Sequence, residues 1–189
     1  MSRSNDLKPA GIPVQAPRAA TGLPALEQLF HLNSTNCTPQ HICAQLAKDF
    51  LVRDIEVALL WIHGKSLKFL FPVELSGAGT IPFSSSAIAA RTATTGTSEM
   101  FNDFVQIKHP SVFEMVKLGN STGDTQPIQK MMSVPMFDHK GKVCGVIQVS
   151  RKGLDVPSAG PDFTSEDLQR LELAGRIVGR FLARTGSAG

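Results

Sequence analysis

Apolar residues alternate with other residues in two runs near the end of the chain, at 132–136 and 143–149. Successive side chains of a strand point to opposite faces, so each run predicts a strand with one face in a core. Asp138 to Gly141 lies between the runs and has the aspartate and glycine that tight turns favour. The segment 131–149 is therefore predicted to form a β-hairpin.

The apolar spacing changes to that of a helix after residue 163. Thr164 and Asp167 match a capping box, in which each side chain bonds the other residue's backbone N–H. Apolar residues then recur every three or four positions, as on the packing face of a helix. One strip consists of Leu168, Leu171, Ala174, Val178 and Phe181, and a second consists of Leu173, Ile177 and Leu182. Two strips favour contact with the chain's own sheet and with another helix, and Gly175 and Gly179 are expected to permit a tight helix–helix crossing.

Helix-capping residues, helix-stop residues and apolar runs predict several helices and strands before residue 131. A helix covers 24–32, and Thr38 with Pro39 starts another that runs to about Val52. Two strands, 55–62 and 67–71, form a hairpin. An alanine-rich helix with a serine cap covers 84–95 and stops at Gly96, and 99–101 forms a short strand. A short helix at 111–118 and a turn-rich loop at 119–127 follow.

Length and composition indicate one soluble domain. The chain has 189 residues, of which 42% are apolar and 19% charged. Three prolines in residues 1–22 predict a disordered N-terminal tail, so the domain is expected at 23–185, with a C-terminal tail at 186–189. The net charge of +3 comes from scattered residues, which argues against nucleic acid. No apolar run approaches the roughly 18 residues of a membrane span, and the N-terminus has no apolar core typical of a secretory signal. Three cysteines fit a reducing compartment, so a cytoplasmic location is expected.

Motifs of catalysis and metal binding are missing from the sequence. The histidines lack metal-ligand spacing, and the chain has no phosphate-binding loop, dinucleotide fingerprint or nucleophile elbow. A binding module without enzymatic activity is the expectation.

Three segments occur in the order found in GAF domains. They are SSAIAARTATTGTSEMFND, SVPMFDHKGKVCGVIQVSRKG and FTSEDLQRL. The chain from about residue 24 to 184 resembles this family of small sensor domains, of bacterial type and related to PAS domains. The resemblance implies an α+β fold, with an antiparallel sheet of about six strands and helices on both faces.

The resemblance implies a stand-alone sensory module for signal transduction. An unidentified small molecule would bind between the sheet and residues 84–130, and the change would pass through the terminal helices. The candidate ligand-binding residues are Trp61, Arg91, Asn102, Asp103, Gln126, Gln129 and Gln148. Four of them also have a structural interpretation: Trp61 as core, Arg91 as a solvated side chain, and Asn102 with Asp103 as a turn. The cofactor is unknown, and the expected partners are a second copy, through the terminal helices, and a separate output protein. The alternative is a homodimerisation scaffold with a vestigial pocket.

Three subfamilies of GAF domains carry more specific motifs. Cyclic-nucleotide binders have an Asn-Lys pair and then a Phe followed by Asp-Glu. This chain has Arg151-Lys152, and Phe163 is followed by Asp167 and Leu168, so the match is partial. Reductases of free methionine sulfoxide need accessible thiols of low pKa. Here Cys144 falls in an apolar strand and Cys43 on the expected buried side of a helix, whereas Cys37 is expected to be more exposed. A reductase is the third hypothesis, after the sensor and the scaffold. Bilin attachment needs a Cys-His pair that is absent.

Overall fold

The computed structural model describes residues 22–32, 36–77, 79–104 and 126–186. The described strands form one antiparallel sheet of six strands in the order β3-β2-β1-β6-β5-β4. The strands are β1 (Val57–His63), β2 (Ser66–Phe71), β3 (Thr80–Pro82), β4 (Glu99–Phe101), β5 (Ile128–Phe137) and β6 (Val143–Lys152). The helices are α1 (Pro24–Leu32), α2 (Pro39–Asp49), α3 (Ile88–Thr95) and α4 (Ser165–Thr185), with 3-10 turns at Asp54–Glu56 and Val73–Leu75.

One face of the sheet packs against α1, α2 and α4, and we call it the three-helix face. The predicted alternation in β5 is confirmed, because Met132, Val134 and Met136 all lie in this core. The other core residues from strands and helices include Val57, Leu59, Ile147, Val149, Leu26, Ile42, Leu46, Leu171, Val178 and Leu182. The predicted strip of α4 thus packs on the chain's own sheet.

Both glycines of α4 lie against β5. A Cβ atom at Gly175 would lie 2.6 Å from the carbonyl oxygen of Pro135, and one at Gly179 would lie 2.5 Å from that of Phe137. The close approach that these glycines allow is therefore between helix and strand. The prediction that these glycines serve a helix–helix crossing is therefore wrong, since their close neighbour is the backbone of β5.

The opposite face packs against α3, and we call it the α3 face. Ile88, Ala89 and Ala93 of α3 lie in a second core with Leu60 of β1 and Val146 of β6. Since helices cover both faces, β5 is buried along nearly its whole length. The GAF-like architecture expected from the sequence is confirmed.

Element ends differ from the sequence prediction in several places. Strand β1 begins at Val57 rather than at residue 55, because Asp54–Glu56 forms a 3-10 turn. Helix α2 stops at Asp49, because Leu51 adopts a φ of 52° and the N–H of Val52 returns to the carbonyl of Ala47. Helix α3 begins at Ile88 after Ala87, which makes no side-chain cap, so the predicted serine cap is wrong. Strand β3 was not predicted, and β5 begins three residues earlier than expected, at Ile128. Short edge strands owe their structure to pairing rather than to an apolar pattern.

Several predicted segments lie outside the described residues. They are the tail at 1–21, the helix at 111–118, most of the loop at 119–127, and the last three residues.

Candidate functional site

A row of polar residues crosses the α3 face at right angles to the strands. Gln148 of β6 pairs with Ser133 of β5, which in turn pairs with Glu99 of β4. Helix α3 adds Thr92, and Ser133 and Thr92 are fully buried. We call Gln148, Ser133, Thr92 and Glu99 the polar row. A polar row on an otherwise apolar face is the arrangement that small-molecule sites commonly use.

The hydrogen bonds of the polar row determine which group donates and which accepts at each step. The Thr92 hydroxyl donates to the carbonyl of Ile88 at 3.0 Å, which uses its one proton. It must therefore accept from the Ser133 hydroxyl, 2.8 Å away. Ser133 in turn accepts from Nε2 of Gln148 at 3.3 Å. The orientation of the Gln148 amide follows from this chain of donors, and its oxygen points away from Ser133.

The amide oxygen of Gln148 is therefore the available acceptor of the row. The residue is 5% exposed, and within the described residues its amide makes only the bond to Ser133. Unlike Oε1 of Gln129, this oxygen is not among the fully buried atoms without a hydrogen bond, so an incoming donor can reach it. An N–H or O–H group of a small molecule would satisfy this oxygen.

Arg91 closes the outer end of the row. Its guanidinium makes two contacts with the carboxylate of Glu99, Nε to Oε2 at 2.9 Å and Nη2 to Oε1 at 2.7 Å. The hydrogen bond to Glu99 raises the pKa of Arg91 despite partial burial. Arg91 is thus held in an ion pair with a side chain of the row.

Asn102 and Asp103 lie at the end of β4. The Asn102 amide donates to the carbonyl of Phe163 at 3.0 Å and accepts from its N–H at 2.8 Å. This pair of bonds copies a strand ladder and ties β4 to the residues just before α4. Asp103 is exposed beside it.

Gln129 lies at the start of β5, near the end of β4, because the N–H of Phe104 donates to the carbonyl oxygen of Gln129 at 2.8 Å. Gln129 is 2% exposed and donates to the carbonyl of Gly153 at 3.0 Å, while its Oε1 is buried without a hydrogen bond. Gln126 lines a cleft of about 490 Å³ between the end of α2 and residues 158–160. Of the seven candidate residues, the structure therefore places two at the polar row: Gln148 within it and Arg91 at its outer end.

Trp61 is half-buried and packs against the three-helix core, on the face opposite the polar row. The tryptophan and the polar row are therefore separated by the sheet.

The three cysteines also lie on the three-helix face. Cys37 and Cys43 are buried members of that core and Cys144 packs against it, so the expected exposure of Cys37 is wrong. Burial raises the pKa of all three thiols, to about 12 for Cys144. Such thiols are poor nucleophiles near neutral pH.

The residues of the partial cyclic-nucleotide motif have structural partners. Asp167 accepts from the Thr164 N–H at 2.8 Å, and Thr164 Oγ1 accepts from the Asp167 N–H at 3.1 Å, so the predicted capping box is confirmed. Arg151 donates to the carbonyls of Phe50 and Leu51, each at 3.2 Å.

The described ranges contain neither a cluster of metal ligands nor a helix suited to span a membrane. Residues 22–32, 36–77, 79–104 and 126–186 hold no group of three or more His, Cys, Asp and Glu side chains that could bind a metal. None of the helices in these ranges has the length and apolar character to span a bilayer.

Comparison with known proteins gives structural matches alone. No family model matches the chain, and no curated protein does. The GAF domain of an Acinetobacter phosphoenolpyruvate-protein phosphotransferase superposes with a TM-score of 0.62 at 13% identity, over 88% of this chain and 95% of that one. The fold is that of a GAF domain. The corresponding domain from Coxiella burnetii gives 0.62 at 10% identity, over 87% and 94% of the two chains. A type II free methionine-R-sulfoxide reductase from Thermoplasma acidophilum gives 0.54 at 13% identity, over 85% and 96%.

Sequence reasoning missed Ser133, Thr92 and Glu99 as members of the site. Ser133 carried a usable signal, because it is a polar residue inside a strand whose neighbours are apolar on both sides. Thr92 follows Ile88 by one helical turn and so lies on the same buried side of α3. Only the register of β4 on β5 places Glu99 beside them.

Proposed function

We propose that this GAF-like chain is a non-catalytic sensory module that binds a small molecule on the α3 face, between the sheet and residues 84–130. The observation that carries this proposal is the amide oxygen of Gln148, in a buried row and without a hydrogen bond in the described residues. The ligand supplies a donor to that oxygen and covers the apolar residues beside it.

Strand β5 offers the route by which binding reaches the terminal helices. Ser133 faces the polar row, while its neighbours Met132 and Val134 face the three-helix core. The glycines of α4 bring that helix onto the β5 backbone without an intervening side chain. A shift of β5 on ligand binding therefore displaces α4, and α1 with it, because Phe30 of α1 stacks on Phe181 of α4.

A thermal-shift screen of a metabolite library tests the binding site. A ligand of the native state raises its melting temperature by mass action. We expect a hit with the wild type to be lost or weakened in Gln148→Met, which keeps the side-chain length and removes the acceptor. Trp61→Phe, on the opposite face, should retain it. A hit that depends on Trp61 and not on Gln148 would place the ligand on the wrong face, and a broad screen without hits would favour a scaffold.

The reductase alternative has support from the fold of the Thermoplasma enzyme. Against it, burial raises the pKa of every cysteine, and all three lie across the sheet from the polar row. We expect no turnover of free methionine sulfoxide with a thiol reductant. Turnover that is lost in a cysteine-to-alanine variant would establish an enzyme instead.

The homodimerisation alternative rests on the outer side of α4. Leu173 and Ile177 are only half-buried there, whereas Phe181 is 4% exposed and already stacked on Phe30. Ile177→Asp is therefore a better probe of self-association than a change at Phe181, which would damage the core. Light scattering that shows twice the chain mass for the wild type, and one chain for Ile177→Asp, would favour the scaffold.

A further inference from the structure

A groove with a cationic wall lies between α1, the C-terminal half of α4 and the β5–β6 turn. Its volume is about 700 Å³. Its floor is the stacked pair Phe30 and Phe181, whose ring centroids are 4.1 Å apart, together with Ile177. We call this the α1–α4 groove. It is on the three-helix side of the molecule and is separate from the polar row.

Two arginines one helical turn apart line this groove. Arg180 and Arg184 are both exposed, and neither forms an ion pair within the described residues. The guanidinium of Arg184 lies 5.9 Å from the ring centroid of Phe181, which keeps its charge beside the aromatic floor. His31 and His139 lie at the same groove, and Glu27 is the one acidic residue among those that line it. The groove therefore combines apolar contact area with an excess of positive charge.

We propose that the α1–α4 groove docks an acidic segment of another protein, with an apolar side chain of that segment on the aromatic floor and its carboxylates on Arg180 and Arg184. Arginine binds carboxylates through two parallel hydrogen bonds, and charge complementarity at the rim of an interface sets specificity and association rate. This inference does not depend on the small-molecule site.

The positive charge of the α1–α4 groove argues against two other occupants, the chain's own N-terminal segment and a second copy of the chain. The chain's own first 21 residues contain Arg3, Lys8 and Arg18 against Asp6, and so carry the sign of the groove. A second copy docked by two-fold symmetry brings its own groove, and with it the same pair of arginines.

The depth of the aromatic floor argues against a membrane. Phe30 and Phe181 are 8% and 4% exposed, so they can receive a side chain but cannot insert into lipid. The large apolar residues that are highly exposed in the described chain, Leu51, Val73 and Leu154, lie outside the groove.

Fluorescence anisotropy with a designed peptide tests this assignment. The probe is a short labelled helix-forming peptide with Leu and Phe on one face and Glu on the other, added to the full chain without any small molecule. Arg180→Glu should weaken binding by about ten-fold or more, because it replaces attraction by repulsion. Arg176→Glu is the matched control: it lies one turn earlier on α4 and lines a different cleft. It should weaken binding clearly less than Arg180→Glu does, because Arg176 does not line the α1–α4 groove.

Two more measurements separate docking from general attraction of an acidic peptide. Ile177→Ser should also weaken binding, because it removes part of the apolar floor, and circular dichroism would verify that each variant is folded. A scrambled peptide of the same composition should bind more weakly than the designed one. Equal affinities for the two peptides, or equal losses for Arg176→Glu and Arg180→Glu, would overturn the assignment. Binding to anionic phospholipid vesicles but not to the peptide, or a dimer that Arg180→Glu dissociates, would overturn it in favour of lipid or a second copy.

Discussion

Replacing Gly179 with alanine tests how closely α4 lies on β5. The added methyl group would be 2.5 Å from the carbonyl oxygen of Phe137 and 2.7 Å from its nitrogen. These atoms belong to the backbone of a strand paired with two neighbours, so no side-chain rotation can relieve the overlap. The helix must move outward, which opens the packing between α4 and the sheet.

Two opposing effects set the expected magnitude. In an exposed helix, Gly→Ala stabilises by about 0.8–1.0 kcal/mol, because alanine loses less backbone entropy. Overpacking a core costs about 1–3 kcal/mol, and a backbone obstacle puts Gly179 at the upper end of that range. The net effect is a loss of about 2 kcal/mol, which corresponds to roughly 4–8 °C in melting temperature for a domain of this size.

Urea denaturation followed by circular dichroism measures this difference. Gln169→Ala is the control, because Gln169 is exposed on the same helix and its replacement should stay within about 0.5 kcal/mol of the wild type. Gly175→Ala should be destabilising for the same reason as Gly179→Ala, with a Cβ 2.6 Å from the carbonyl oxygen of Pro135. If Gly179→Ala stabilises the chain by the propensity difference alone, α4 does not approach β5 as described.

Three further predictions concern stability. Thr164→Ala should cost about 1 kcal/mol by removing the N-cap of α4, and Thr164→Ser should restore most of it in the same urea assay. Burial alone raises the pKa of the Glu56 carboxyl, but hydrogen bonds from Arg53 and from the Lys152 backbone outweigh it and hold the pKa below its ordinary value. Because the folded pKa is the lower one, this carboxylate stabilises the fold above the unfolded pKa, and the contribution is lost as pH falls through the folded pKa. The stability advantage of the wild type over Glu56→Gln should therefore shrink on acidification, and an advantage that grows would contradict the sign. Cys43→Ala should cost on the order of 1 kcal/mol as a small core truncation, measured by urea denaturation with reductant present.

Local patterns in the sequence determined most of the fold. The alternation at 132–136 gave the face of β5 that enters the core, since successive residues of a strand must point in opposite directions. The capping residues Thr38 and Thr164 gave the starts of α2 and α4, because they satisfy free N–H groups within their own turn. These features depend on neighbours in the chain and can therefore be predicted without the tertiary structure.

The tertiary structure alone decided which polar residues meet. Gln148 and Arg91 were candidates from the sequence, but Ser133, Thr92 and Glu99 join them only through strand pairing and the position of α3. Trp61 was grouped with them, yet the parity of its position in β1 places it on the opposite face. The glycines of α4 similarly indicate a close contact, and only the packing shows that the contact is with a strand. Pairings between distant segments depend on register and on which faces are covered, and neither is encoded by a local period.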